Sequence, residues 1–177
     1  MADASPFEET PPEEASIDLL LRNLSHRDGQ VRERSRKELA ERGPDVIDDL
    51  APLVRSPNER ERWEAAKILG QIRDGRASRL LAEAMDDDRF DVHWIATEGL
   101  IHLGEKSISP VLHQLVERAH SVRIREGANR VLGEITRGLE EEEKTELVRE
   151  VLETLHGFHP VEEIAENAYE ALRKLDA

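Results

Sequence analysis

Glu98 and His102 stand one helical turn apart, a spacing at which a carboxylate and an imidazole can share a metal ion. His113 and Glu117 repeat the same interval. A working metal centre needs three or four ligands to converge, and no second pair points to the first, so neither a metal nor a cofactor is expected. The chain contains no cysteine, which removes thiolate nucleophiles, Cys-based zinc and iron–sulfur sites, and disulfides. It also has no phosphate-binding G-x-x-x-x-G-K loop, no G-x-S-x-G elbow and no H-E-x-x-H helix, so no catalytic residue is assigned and a non-enzymatic role is expected. The residues left with recognition chemistry are two tryptophans, Trp63 and Trp94, and a series of arginines at Arg32, Arg62 and Arg125.

Composition narrows the partners. Hydrophobic residues make up 38% of the 177 and aromatics 3%, so the core must be aliphatic, the palette of helix packing. The formal net charge is -14, a field that repels phosphate backbones and anionic lipid, so nucleic acid and membrane are disfavoured partners. Residues 1–15 carry neither a basic n-region nor an apolar stretch; they read as a disordered acidic tail ahead of a single domain spanning 16–177. With no membrane-length apolar run, a soluble, cytoplasmic protein is expected, as a monomer or weak homodimer.

The elements that must position the tryptophans come from repetition. "ERWEAAKILGQI" at 61–72 recurs as "IREGANRVLGEI" at 124–135, and a looser form occurs five times. Its fifth position is small (Ser35, Ala65, Ala96, Ala128, Ala168) and its ninth is Leu39, Leu69, Leu100, Leu132 and Leu172. The intervals of 30, 31, 32 and 40 residues lie where a fixed period means a solenoid. Positions 1, 5, 8, 9 and 12 share one helical face, so each copy is an amphipathic helix B. A shorter apolar segment precedes each copy, beginning near 17, 44, 77, 107 and 144, and supplies a helix A. Asp28, Asn58 and Ser121 stand where N-caps belong, and Gly43, Gly75, Gly104 and Gly138 where helix B must stop. The expectation is an all-α fold of about five helical hairpins and ten helices, in which no hairpin buries its apolar face alone. Gly70 and Gly133, inside helix B, are read as close-packing positions, with clearance for a bound partner as the alternative, and the arginines at position 2 as local ties for the A–B loop, with an anion-binding ladder as the alternative.

The stretch "ERWEAAKILGQIRDGRASRLLAEAMDDDRFDVHWIATEGLIHLG" resembles HEAT repeats, and the short period resembles the phycobilisome-lyase-like subclass. The resemblance covers 17–176; His93 departs from it where the pattern has Arg, and the fifth repeat, with Ala165, reads as a cap. It implies a right-handed α-α superhelix whose helix B lines the concave face. Positions 3 and 7 then form two columns: Glu33, Trp63, Trp94, Glu126 and Glu166; and Lys37, Lys67, Glu98, Arg130 and Glu170. Both tryptophans fall in one column, in adjacent repeats. The expected binding surface for another protein is Trp63, Lys67, Trp94, Glu98, Ile101 and Arg130, with the opposing reading that both indoles merely close the core. Two catalytic branches resemble it in part. A tetrapyrrole lyase or chromophore chaperone would stack pigment on the tryptophans, but no motif marks it. HEAT-like DNA glycosylases use concave tryptophans with an acid, as Trp63, Trp94 and Glu98 superficially do, yet they need a cationic groove.

Overall fold

A computed structural model describes residues 15–175, so the acidic segment 1–14 lies outside the described residues. Within them the chain forms ten α-helices: α1 (Ile17–Asn23), α2 (Gly29–Glu41), α3 (Ile47–Val54), α4 (Glu59–Ile72), α5 (Ser78–Ala84), α6 (Phe90–Leu103), α7 (Ile108–Arg118), α8 (Val122–Thr136), α9 (Glu142–His156) and α10 (Val161–Leu175). Short 3-10 turns at Gly43–Val46, Gly75–Ala77 and Gly104–Ser107 lead into α3, α5 and α7.

Local chemistry sets these boundaries. The Asp28 and Asn58 side chains accept from the backbone N–H groups of Gln30 and Arg60, and Ser121 accepts from Ile124, each satisfying an orphan donor of a helix B. The third helix B has Arg89 at its N-cap and no side-chain cap; Asp87 accepts the Arg89 N–H just ahead of it instead. Helix B ends in the left-handed region at Gly43 (φ 67°), Arg73 (φ 55°) and Gly104 (φ 61°), which reverses the chain into the next 3-10 turn. Gly75 and Gly138, expected as stops, do not take that conformation. In the second repeat an arginine occupies the place of the glycine.

The apolar faces then stack. The small fifth-position residues and the ninth-position leucines are all buried, together with Ile68, Leu81, Met85, Leu112 and Ile124. Helices α2, α4, α6 and α8 pack in succession as one layer, while α3, α5 and α7 form the other. The result is the helical solenoid that the period demands.

The last hairpin breaks the alternation. In the regular arrangement α10 would follow α8; instead α9 packs on α8 and α10 packs on α7. Two features explain the exchange. After α8, Arg137 stays in the right-handed helical region, and neither a left-handed residue nor a 3-10 turn turns the chain back. In addition, α9 has 15 residues, like the helix B elements, whereas α1, α3 and α5 have seven or eight. Glu166 and Glu170, placed by register in the concave columns, therefore leave them with α10.

Candidate functional site

The arginines at position 2 tie the A–B loops, as their type and place suggest, but their acceptors are loop carbonyls and not the caps. Arg32 donates to the His26 carbonyl (2.7 Å), Arg62 to that of Ser56 (3.0 Å) and Arg125 to that of Ala119 (2.5 Å). His93, which replaces arginine in the third repeat, performs the same task with Nδ1 against the Met85 carbonyl at 2.6 Å. Two of the arginines also reach forward. Arg62 grips Asp87 (2.6 and 3.0 Å) and Asp88 (2.8 Å) of the next loop. Arg32 and Arg36 converge from α2 on Glu64 of α4, at 3.3 and 2.7 Å; the Glu64 side chain is only 3% exposed. Burial pushes the Asp87 carboxyl up, but hydrogen bonds from Arg62 and from the Arg89 N–H outweigh it and hold the group below its ordinary 3.8. These ladders serve the fold, because their charges are spent within it.

The tryptophans sit one helix apart and are treated differently. Trp63 is half-buried, with the Arg36 guanidinium 5.4 Å from its ring centre. Trp94 remains 42% exposed, with the Arg130 guanidinium 3.7 Å from its ring centre and Phe90, itself 74% exposed, at 6.0 Å. Arg130 also pairs with Glu98, so α8 reaches across to hold the indole and its neighbouring carboxylate together. The two arginines come from opposite directions along the layer, Arg36 from the preceding repeat and Arg130 from the following one.

Beside Trp94 lies an open cleft of about 410 Å³ between α4 and α6, walled by Lys67, Gln71, Arg73, Trp94, Glu98 and His102. Its floor is the crossing of Gly70 and Gly99: a Cβ on Gly70 would come within 3.3 Å of the Gly99 Cα, and one on Gly99 within 3.0 Å of Leu81. Backbone contact at that crossing accounts for Gly70 as a packing residue. Gly133 has no such role, since a Cβ there would meet nothing within 4 Å.

Of the six residues expected to form the surface, Lys67, Trp94 and Glu98 line this cleft and Arg130 joins them through the indole and the carboxylate. Trp63 does not line it. Ile101 faces a separate cleft of about 260 Å³, which it shares with Glu134, Ile135 and Leu139. Sequence register missed Phe90, Gln71 and Arg73. Phe90 lies four residues before Trp94 on the same helix, a spacing that was available as a signal; Arg73 was hidden because a helix end was expected at Gly75. His102 turns its Nδ1 to the Glu98 backbone carbonyl at 2.8 Å, not to the carboxylate. Among the described residues no three His, Asp or Glu side chains are placed to hold a metal ion.

Arg73 carries a measurable cost. A non-glycine residue in the left-handed region is strained, so Arg73→Gly is expected to raise stability by about 0.5–1 kcal/mol, with part of the relief offset by the freer unfolded chain. Urea denaturation of the two proteins measures it. A loss of stability on substitution would mean that the arginine side chain makes a compensating contact with the fold.

Fold and cleft together define a helical-hairpin solenoid with an open cleft between two helices of its helix B layer. A family model described as HEAT repeats matches residues 17–101, just under half of the chain, and supports that family for the hairpins of α1 to α6. No curated protein matches the chain. Among solved structures, the crystal structure of an engineered protein is similar at 19% identity, covering 89% of this chain and 79% of the other, with a TM-score of 0.44. Among the described residues no helix is long and apolar enough to cross a membrane.

Proposed function

We propose that this chain is a non-enzymatic interaction adaptor that holds a partner protein on its concave helix B layer, centred on Trp94. Solenoids of this kind present extended concave surfaces for binding, and the family supported for α1 to α6 is built on that principle. The observation that carries the reading is the state of Trp94. An indole left 42% exposed, braced by Arg130 and flanked by exposed Phe90, is a rigid aromatic anchor beside a cleft. Trp and Arg dominate the energetics of such anchors, and pre-bracing lowers the ordering cost of binding. Lys67 and the Glu98–Arg130 pair set orientation from the rim. N-cap intervals of 30, 31 and 32 residues support the short, phycobilisome-lyase-like repeat subclass.

The test is a capture experiment on immobilised protein, with Tyr169→Ala as the control because Tyr169 is exposed on α10, away from the groove. Proteins retained by the wild type and by Tyr169→Ala are expected to fall at least about thirtyfold in affinity for Trp94→Ala. Retention of every partner by a Trp63→Ala, Trp94→Ala double variant would remove the surface from consideration.

A further inference from the structure

The cleft beside Trp94 is charged against the grain of the molecule. The chain has 39 acidic and 25 basic residues, yet Lys67 and Arg73, on the cleft wall, make no ion pair among the described residues. The single carboxylate there, Glu98, is already neutralised by Arg130. Two free cations, an exposed indole and an exposed phenylalanine therefore define a surface for an acidic segment that carries an apolar side chain.

Such a segment exists in the chain itself. Residues 1–14, "MADASPFEETPPEE", hold five carboxylates, no lysine or arginine, and Phe7 immediately before Glu8 and Glu9. The segment joins the described protein at the correct end. The Ala15 carbonyl accepts from Arg42 at 3.2 Å, and Arg42 is the C-cap of α2. Arg73 is the C-cap of α4, the next helix in the same layer. Two helix spacings of roughly 10 Å separate α2 from α6. Nine register positions along the axis, from the level of Arg42 to that of Trp94, add about 14 Å and make the separation about 24 Å, and the eight residues from Phe7 to Ala15 cover it when extended, at about 25–28 Å.

We infer that residues 1–14 of this chain dock in the α4–α6 cleft, with Phe7 against Trp94 and Phe90 and with Glu8 and Glu9 on Lys67 and Arg73. An acidic ligand arriving from solution meets the repulsion of a molecule with net charge -14. A tethered segment meets the same cations at an effective concentration on the order of mM, so the chain's own terminus is the favoured acidic occupant. The inference rests on the reading of this groove as the partner surface, and makes the N-terminal segment the ligand that a partner must displace.

The chain lacks cysteine, so Ser5→Cys offers a unique attachment point for a nitroxide spin label in the full-length protein. The side-chain N–H signals of the two tryptophans report, and Trp63→Phe assigns them. In low salt the Trp94 signal is expected to lose intensity several-fold relative to the reduced label, while the amide of His113, on α7 in the other layer, does not. The loss should disappear in high salt and in the Lys67→Glu, Arg73→Glu variant, whose fold is checked by far-UV circular dichroism. Equal intensities at Trp94 and His113 would overturn the inference. So would a loss that persists in high salt, or one that appears undiminished when isotope-labelled chains without nitroxide are mixed with spin-labelled chains, since the segment would then dock between copies. The capture result with Trp94→Ala is independent of this readout: a released segment leaves it standing, and a failed capture leaves the relaxation result standing.

Discussion

Arg62→Ala is expected to lower the unfolding free energy by about 3 kcal/mol at neutral pH, because it strands a buried carboxylate. The Asp87 side chain is 6% exposed and draws its compensation from the Arg62 guanidinium, with Asp88 adding a second negative charge nearby. The sign of the pH dependence follows from the direction of the shift. In the wild type the folded Asp87 carboxyl lies below its ordinary value, so its contribution is fully present above about pH 4 and is lost as pH falls through the folded value. In the variant, burial is opposed only by the Arg89 N–H and the Asp88 side chain, so the carboxyl lies higher than in the wild type, and the penalty is relieved as the group takes up a proton. The stability gap between the two proteins should therefore shrink on acidification, to less than about half by pH 3. Urea unfolding at pH 7, 5 and 3 measures it. A gap independent of pH would assign the loss to the Ser56 carbonyl contact and not to the ion pair.

Gly127→Ala and Gly133→Ala should move stability in opposite directions, although both glycines lie within α8. A Cβ on Gly127 would stand 2.5 Å from Cγ and 2.6 Å from Sδ of Met85, and 3.2 Å from the His93 ring. Met85 is fully buried and His93 is bonded to the Met85 carbonyl, so neither can retreat without opening the α5–α6–α8 junction. A loss of about 2 kcal/mol is expected, after the helix propensity of alanine is credited. At Gly133 nothing stands within 4 Å, and alanine should stabilise by about 1 kcal/mol. Thermal unfolding of both variants decides the matter. A gain at Gly127 would show that Met85 repacks freely, and a loss at Gly133 would show that the backbone there needs the freedom of glycine.

The two glycines also illustrate what a repeat pattern conceals. Gly70 and Gly133 occupy one register and invite one explanation, yet Gly70 meets another backbone while Gly133 faces open space. A helix crossing depends on the partner's side chain as much as on the residue itself, and α6 offers Gly99 where α8 has no counterpart. Likewise Trp63 and Trp94 share a column, but the first is covered by an arginine from α2 and the second by one from α8, and only the third repeat carries a Phe90 beside its indole.

Periodicity alone determined the helical hairpins, the buried small and leucine positions, the N-caps Asp28, Asn58 and Ser121 and the solenoid class, because each of these depends on contacts within about one turn or one repeat. It also determined that arginines at position 2 would serve the loops. The exchange of α9 and α10 was decided only by tertiary structure. The 40-residue interval before Ala168 announced an irregularity, but which helix faces α7 and which faces α8 follows from the turn after Thr136 and the length of α9 together, a choice made by packing. The cleft was equally beyond register, since it joins side chains from α4 and α6 with an arginine from α8, and its open charge depends on which cations the fold leaves without partners.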